Sequence, residues 1–245
     1  MVYTERFYRR SMGKRFKSFI LRRGETDLWI GVDKKSFSKD FVKIVDREIR
    51  DARDEITKYA LRHPEFYTSL LPLPYDPDAP KTVRHMLKAG LEANVGPMAA
   101  VAGAIAQRVG YLLIEAGAKE VVVENGGDIF LKVELPITVE IFSGKSPLNG
   151  KVVLKIEGKE TPCGVCTSSA TIGHSLSFGA ADAVTVIFKD AAIADSLATR
   201  CCNEVRTKDD VKKVLKRFQG GPGGIVVIIK DVLGSAGENV HFVGR

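Results

Sequence analysis

The sequence predicts an α+β fold, and three observations carry the prediction. Short β-type runs come in groups. Segments with helical spacing are grouped as well, so strands and helices do not alternate one for one. Third, a chain of 245 residues, 44% hydrophobic, can bury one large core or two closely packed lobes.

Taken in order, Phe16 to Val32 reads as a hairpin, with FKSFILR and DLWIGV joined at RGET and Gly24 supplying a positive φ. Ser38 to about Arg62 reads as a helix, since Phe41, Ile44, Val45, Ile49, Ala52, Ile56 and Tyr59 recur at helical spacing. Five prolines between His63 and Pro80 argue against regular helix or central strand there. A short helix follows over Val83–Lys88. Pro97 opens a long apolar helix that Gly117 stops. Its first half is so rich in alanine and glycine that another backbone can approach it closely.

Strands are expected at EVVVE, DIFLKV, ITVEIFS, KVVLKIEG, VCTSS and DAVTVIF. Helices follow over 190–203 and Asp209–Phe218. GGPGG makes a turn, IVVIIKD a buried strand and NVHFVG a last strand.

Charge is placed unevenly. The net charge is +7, and residues 1–23 carry eight bases (Arg6, Arg9, Arg10, Lys14, Arg15, Lys17, Arg22, Arg23) against Glu5. The rest holds 29 bases and 29 acids. This arm either guards an edge strand by charge or meets an acidic partner. No apolar run is expected to reach the roughly 18 residues a membrane helix needs. The basic start is unlike a secretory signal, so a cytoplasmic protein is expected. The four cysteines, 163, 166, 201 and 202, are expected to be reduced. Cys163 and Cys166 have metal or redox spacing, although packing thiols is the plainer reading.

Three segments could carry chemistry. In AAIADSLATRCC, Asp195 is the only ionisable group from Ala191 to Thr199, so both faces of that helix are expected to be covered. A buried carboxylate needs a partner. Asp195 and Thr199 project together one turn apart and could hold Mg²⁺, which takes few protein ligands and completes its shell with water and phosphate. The plainer alternative is a bond to a backbone amide or an arginine. In ENGGDIF, Gly126 and Gly127 either form an ordinary hairpin turn or bring backbone N–H groups to a ligand, with Asp128 beside them. TSSATIGHSLSFG offers Thr167, Ser168, Ser169, Thr171, His174, Ser175 and Ser177 for phosphate or sugar oxygens, with His174 the candidate acid or base; an ordinary polar loop would look the same.

In this order the segments resemble the ApbE superfamily, whose best-known members are flavin transferases. The resemblance rests on Gly126-Gly127-Asp128, on Thr167-Ser168, and most closely on Ala194-Asp195-Ser196-Leu197-Ala198-Thr199, which is similar to the family's ADALAT motif. It covers residues 94–203. It implies a two-lobed α+β fold with mixed or antiparallel sheets and a flavin-nucleotide cleft between lobes. Here these would be an N-terminal lobe over 1–90 and a core lobe over 91–245 of a single domain. It implies Mg²⁺ at Asp195 and Thr199, and FAD or FMN as the phosphorylated ligand. The family's KGYAVD-type helix start is replaced by NVGPMAAVAGAIA, and its HIIDP-type segment by GHSLSFGAADAV. The chain is therefore similar to the uncharacterised cytoplasmic ApbE-like branch. A homodimer is compatible with the apolar strands. Two other functions are compatible with the sequence: a non-flavin enzyme of sulfur metabolism using Cys163 or Cys166, and a non-catalytic binding or assembly module.

Overall fold

The computed structural model describes residues 15–171 and 178–243. β1 (Phe16–Arg23) and β2 (Thr26–Asp33) form the expected hairpin, with Gly24 at φ +55° in its turn. α1 (Asp40–Arg62) buries Phe41, Val45, Ile49, Ala52 and Ile56 of its predicted stripe together with Ala60, while Ile44 and Tyr59 are half-buried.

The proline-rich stretch contains one helical turn that was not expected, α2 (Glu65–Thr68). Pro64 precedes it, where the missing N–H costs nothing. α3 (Lys81–Ala93) is twice as long as the helix predicted over Val83–Lys88. Gly90 reads as a breaker but is used for close approach: a Cβ there would lie 2.8 Å from the Val95 carbonyl oxygen. Asn94, at φ +55°, ends the helix in its stead.

The 3₁₀ turn Pro97–Ala100 runs into α4 (Val101–Glu115). Together they span 19 residues of mean hydropathy 1.3, long and apolar enough to cross a membrane. This corrects the expectation that no segment qualifies, because Gln107 and Arg108 do not outweigh the apolar residues around them. In the structure α4 is a core helix, with Gly103 to Gln107, Val109, Gly110 and Leu113 buried.

There follow β3 (Val121–Asn125), β4 (Asp128–Lys132), β5 (Ile137–Glu140), β6 (Val153–Ile156), β7 (Cys163–Ser168), β8 (Ala183–Phe188), α5 (Ala191–Glu204), α6 (Asp210–Leu215), β9 (Gly224–Ile229) and β10 (Val232–Gly237). The last strand corrects the sequence reading. NVHFVG makes only an isolated bridge, Phe242 to Leu154, and Val240 packs against the core beneath β5 and β6. β10, VLGSAG, had too little β-branched character to be seen, and its turn uses Lys230 at φ +55° where a glycine would have been the signal.

Eight strands make one antiparallel sheet in the order β1-β2-β3-β4-β7-β8-β9-β10. β5 and β6 form a second, two-stranded sheet. Alternation along each strand feeds two cores. Leu28, Ile30, Val121, Val123, Phe130, Cys166, Val184 and Val186 pack with the helices. Trp29, Val122, Ile129, Leu131, Val165 and Ile187 pack with Leu154 and Ile156 of the small sheet. The protein is thus three layers, helices over a large sheet over a small one.

The basic arm is partly resolved into this scheme. β1 is an edge of the large sheet and its charges are engaged: Arg15 with Glu120, Arg22 with Asp27, Arg23 with Asp46, and Lys17 over the Phe37 ring. Arg6, Arg9, Arg10 and Lys14 lie outside the described residues.

Candidate functional site

α5 is covered on both faces, as its composition required. Ala191 to Ser196, Ala198, Cys201 and Cys202 are buried, and Thr199 is half-buried. The helix lies close to its neighbours because the residues opposite are glycines. A Cβ on Gly103 of α4 would come within 2.2 Å of the Ala191 carbonyl oxygen, and one on Gly164 of β7 within 2.4 Å of Ala191 Cα. This is the backbone approach that the alanine- and glycine-rich start of α4 predicted.

Asp195 is 8% exposed. Its Oδ2 accepts from the Gly103 N–H at 2.9 Å, near the start of α4, where helix amides have no partner within their own helix. The neighbouring Ala102 amide also favours its charge. Burial, and then the Asp128 carboxylate nearby, push the Asp195 carboxyl well above the usual range. Among the described residues, none of the groups acting on it is a basic side chain. The backbone-amide alternative is therefore realised, through Gly103 and Ala102.

Asp128 reaches this point from the turn. Gly126 and Gly127 take φ +72° and +106°, the backbone of a tight hairpin turn, and set Asn125 opposite Asp128. Asn125 donates to the Ala102 carbonyl at 3.1 Å, tying the turn to α4. Asp128 Oδ1 accepts from the Thr167 N–H at 3.1 Å. The Gly127 N–H donates to Glu124 Oε1 at 2.8 Å, so the turn is held from within.

The site loop divides between the two faces of the sheet. Ser168, buried, alternates with Thr167 and so shares the helical face with Cys166. Thr167 faces the other way, and its hydroxyl meets that of Thr185 at 2.8 Å. Ser169 accepts from the Thr171 N–H. On the returning side, Phe178 N–H donates to Asn203 Oδ1, and Ala180 N–H to the Val205 carbonyl, so the loop is stitched to the end of α5. His174, Ser175 and Ser177 lie outside the described residues.

The sequence reading missed a cluster at the start of α5. Asp190 caps the helix, accepting from Ala192 and Ile193 N–H groups at 3.0 and 3.1 Å. His85 Nε2 of α3 lies 2.9 and 2.8 Å from its two oxygens, and Gln107 Nε2 donates at 3.0 Å. Burial opposes the charge, but His85, Gln107 and the capping amides hold the Asp190 carboxyl down to about 2. The capping aspartate before AAIAD was a readable signal; its two distant partners were not.

Two cavities, of about 670 and 270 Å³, open beside the helices. The larger is lined by Asp51, Glu55, Tyr59, Asp76 and Arg108 among others, the smaller by Thr82, His85, Gln107 and Tyr111. None of the predicted site residues lines either. Among the described residues no group of three or more His, Cys, Asp or Glu could hold a metal. All four cysteines are buried, and none forms a disulfide. Burial pushes Cys163 and Cys201 up to about 12, and it pushes Cys166 upward with Asp128 adding to the effect. Burial and raised thiols suit the packing reading of Cys163 and Cys166.

An antiparallel sheet carries helices on one face and a small sheet on the other, with a buried aspartate between a GGD turn and a helix start: an α+β protein. The structure is similar to the crystal structure of Pseudomonas stutzeri flavinyl transferase ApbE in its apo form. The TM-score is 0.63 at 14% identity, over 90% of this chain and 94% of that one. It is also similar to a flavin transferase ApbE from Vibrio cholerae (TM-score 0.58, 15% identity, 91% and 97% covered). At such identities the likeness is one of fold. The chain matches the family model described as AbpE bacteria over residues 9–217 and belongs to that family. It is 41% identical to a UPF0280 protein of Methanocaldococcus jannaschii over 93% of both chains. It is 39% identical to one of Methanococcus maripaludis over 89% of this chain and 90% of that one.

Proposed function

We propose that the chain holds Mg²⁺ at Asp195 and Thr199 and, through it, a phosphorylated ligand of the flavin-nucleotide class, FAD or FMN. One observation carries this reading. Asp195 is buried beside a second carboxylate, with backbone amides and no basic side chain acting on it among the described residues. A divalent cation would relieve both charges, and an all-oxygen donor set of few protein groups suits Mg²⁺ sharing a phosphate. Gly126, Gly127 and Asp128 would form one wall. Ser168, Ser169, Ser177 and His174 would form the other, with His174 the candidate acid or base; of Thr167, predicted for the same wall, only the backbone N–H reaches the site, on Asp128, because its side chain faces the small sheet. When bound, the ion would polarise a diphosphate for attack by an acceptor hydroxyl, the chemistry of a flavin transferase. A cytoplasmic location, a single two-lobed domain, a homodimer and an acidic partner for the basic N-terminal residues belong to the same reading and stand on the sequence.

The test compares wild type with Asp195→Ala in Mg²⁺ and FAD, following flavin fluorescence and melting temperature. Binding and Mg²⁺-dependent stabilisation are expected in the wild type alone. Identical behaviour of the two proteins would sink the proposal.

A further inference from the structure

The face of α5 that carries Asp195 is fixed at its first turn, and three other elements do the fixing. Asp190 is the hub. It satisfies the N–H groups of Ala192 and Ile193 itself, which is all that a helix cap requires. Two further side chains grip the same carboxylate from neighbouring helices, His85 from α3 and Gln107 from α4. Gln107 is 8% exposed and makes two bonds at once. Its Nε2 donates to Asp190 Oδ2, while its Oε1 accepts from the Ala191 N–H. Ala191 is the residue on which everything else converges: Cys166 Sγ donates to its carbonyl at 3.3 Å, and Gly103 and Gly164 lie against its backbone. Asp195 is one turn beyond Ala191 on the same side.

The ring of His85 also lines the 270 Å³ cavity with Thr82, Gln107 and Tyr111, and its side chain is 24% exposed. Water therefore has access to this edge of the network. Without His85, the Asp190 carboxylate can turn toward that water, and of the two side chains that grip it only Gln107 remains.

We infer that His85, acting through Asp190 and Gln107, is a positioning residue that sets the height of α5 against α4 and thereby aims Asp195 at the ion site. The inference rests on the Mg²⁺ reading above. Groups that hydrogen-bond a metal ligand directly cost about 10- to 100-fold in metal affinity when removed, and His85, acting one step further out through Asp190, is placed at the low end of that range.

The experiment titrates Mg²⁺ alone into the full chain by calorimetry, with melting temperature recorded in parallel. His85→Phe, which keeps a ring and loses the bond, is expected to bind Mg²⁺ about 10-fold more weakly. His85→Gln, which keeps a donor, is expected to recover most of that loss. Gln107→Met preserves volume, removes both amide bonds and gives the same weakening, so the result does not depend on one variant folding. A lowered melting temperature with unchanged Mg²⁺ affinity in His85→Phe and Gln107→Met overturns the positioning role and leaves the ion site standing. Failure of the wild-type chain to bind Mg²⁺ overturns both.

Discussion

Asp195 shows how a single side chain can be costly to the fold, buried as it is beside a second carboxylate. Its folded carboxyl lies above its unfolded value because of burial and then Asp128. The sign follows directly. The folded state retains a proton that the unfolded chain gives up, so stability is full below the usual carboxylate range and falls as pH rises above it. Asp195→Asn keeps an acceptor for Gly103 and removes the charge. In Mg²⁺-free buffer this variant is expected to melt above the wild type at pH 7, and the gap to shrink toward pH 4. Added Mg²⁺ should raise only the wild type. A variant that melts lower at neutral pH would show that the carboxylate is already neutralised by protein. Asp195 was legible in the sequence because a lone acid among small residues cannot lie on a solvated face. The cluster of His85, Gln107 and Asp190 was not, because its members are 22, 83 and 105 residues apart along the chain and no local pattern links them.

At the level of elements, composition foretold contacts better than it foretold ends. The small residues opening α4 correctly implied a backbone neighbour, which is α5 at Ala191. Gly103→Ala should therefore destabilise the fold even though alanine favours a helix by about 1 kcal/mol. Overpacking against a carbonyl costs about 1–3 kcal/mol, so a net loss measured by denaturant melts, together with weakened Mg²⁺ binding, is expected. A neutral or stabilising result would mean that the two helices can part without consequence. Misplaced boundaries have local causes. Gly90 breaks nothing in α3, because close packing there needs the missing side chain. β10 lacks both a β-rich sequence and a glycine turn. The basic arm is part edge strand, so cutting residues 1–23 removes the eight-residue partner of β2 as well as charge.

Over the whole molecule, the helical layer is tied together by Arg108. From α4 it bonds Glu48 and Glu55 of α1 and Thr82 of α3, and its side chain is 14% exposed. Arg108→Met strands two carboxylates beside an apolar side chain. Fully buried pairs broken in this way cost about 3–5 kcal/mol, and the partial exposure of these glutamates brings the expected loss to about 2 kcal/mol. Mg²⁺ affinity should be little changed, because Arg108 does not touch the first turn of α5. A loss of ion binding equal to that of His85→Phe would mean that the layer moves as one body. The α+β class was foreseeable from the grouping of strands and helices along the chain. The order of strands was not, since antiparallel neighbours four and seven enclose β5 and β6 as a separate flap.

That strand order has a bearing on how the protein matures. Asp195 is surrounded by an amide from Gly103, a carboxylate from Asp128 and a thiol from Cys166, which reach it from three other stretches of chain. A polypeptide lacking Asp128 or Asp195 has no anion pair to bridge. Cation uptake at this point would thus report that α4, β4, β7 and α5 have docked, and would hold α5 in place by mass action.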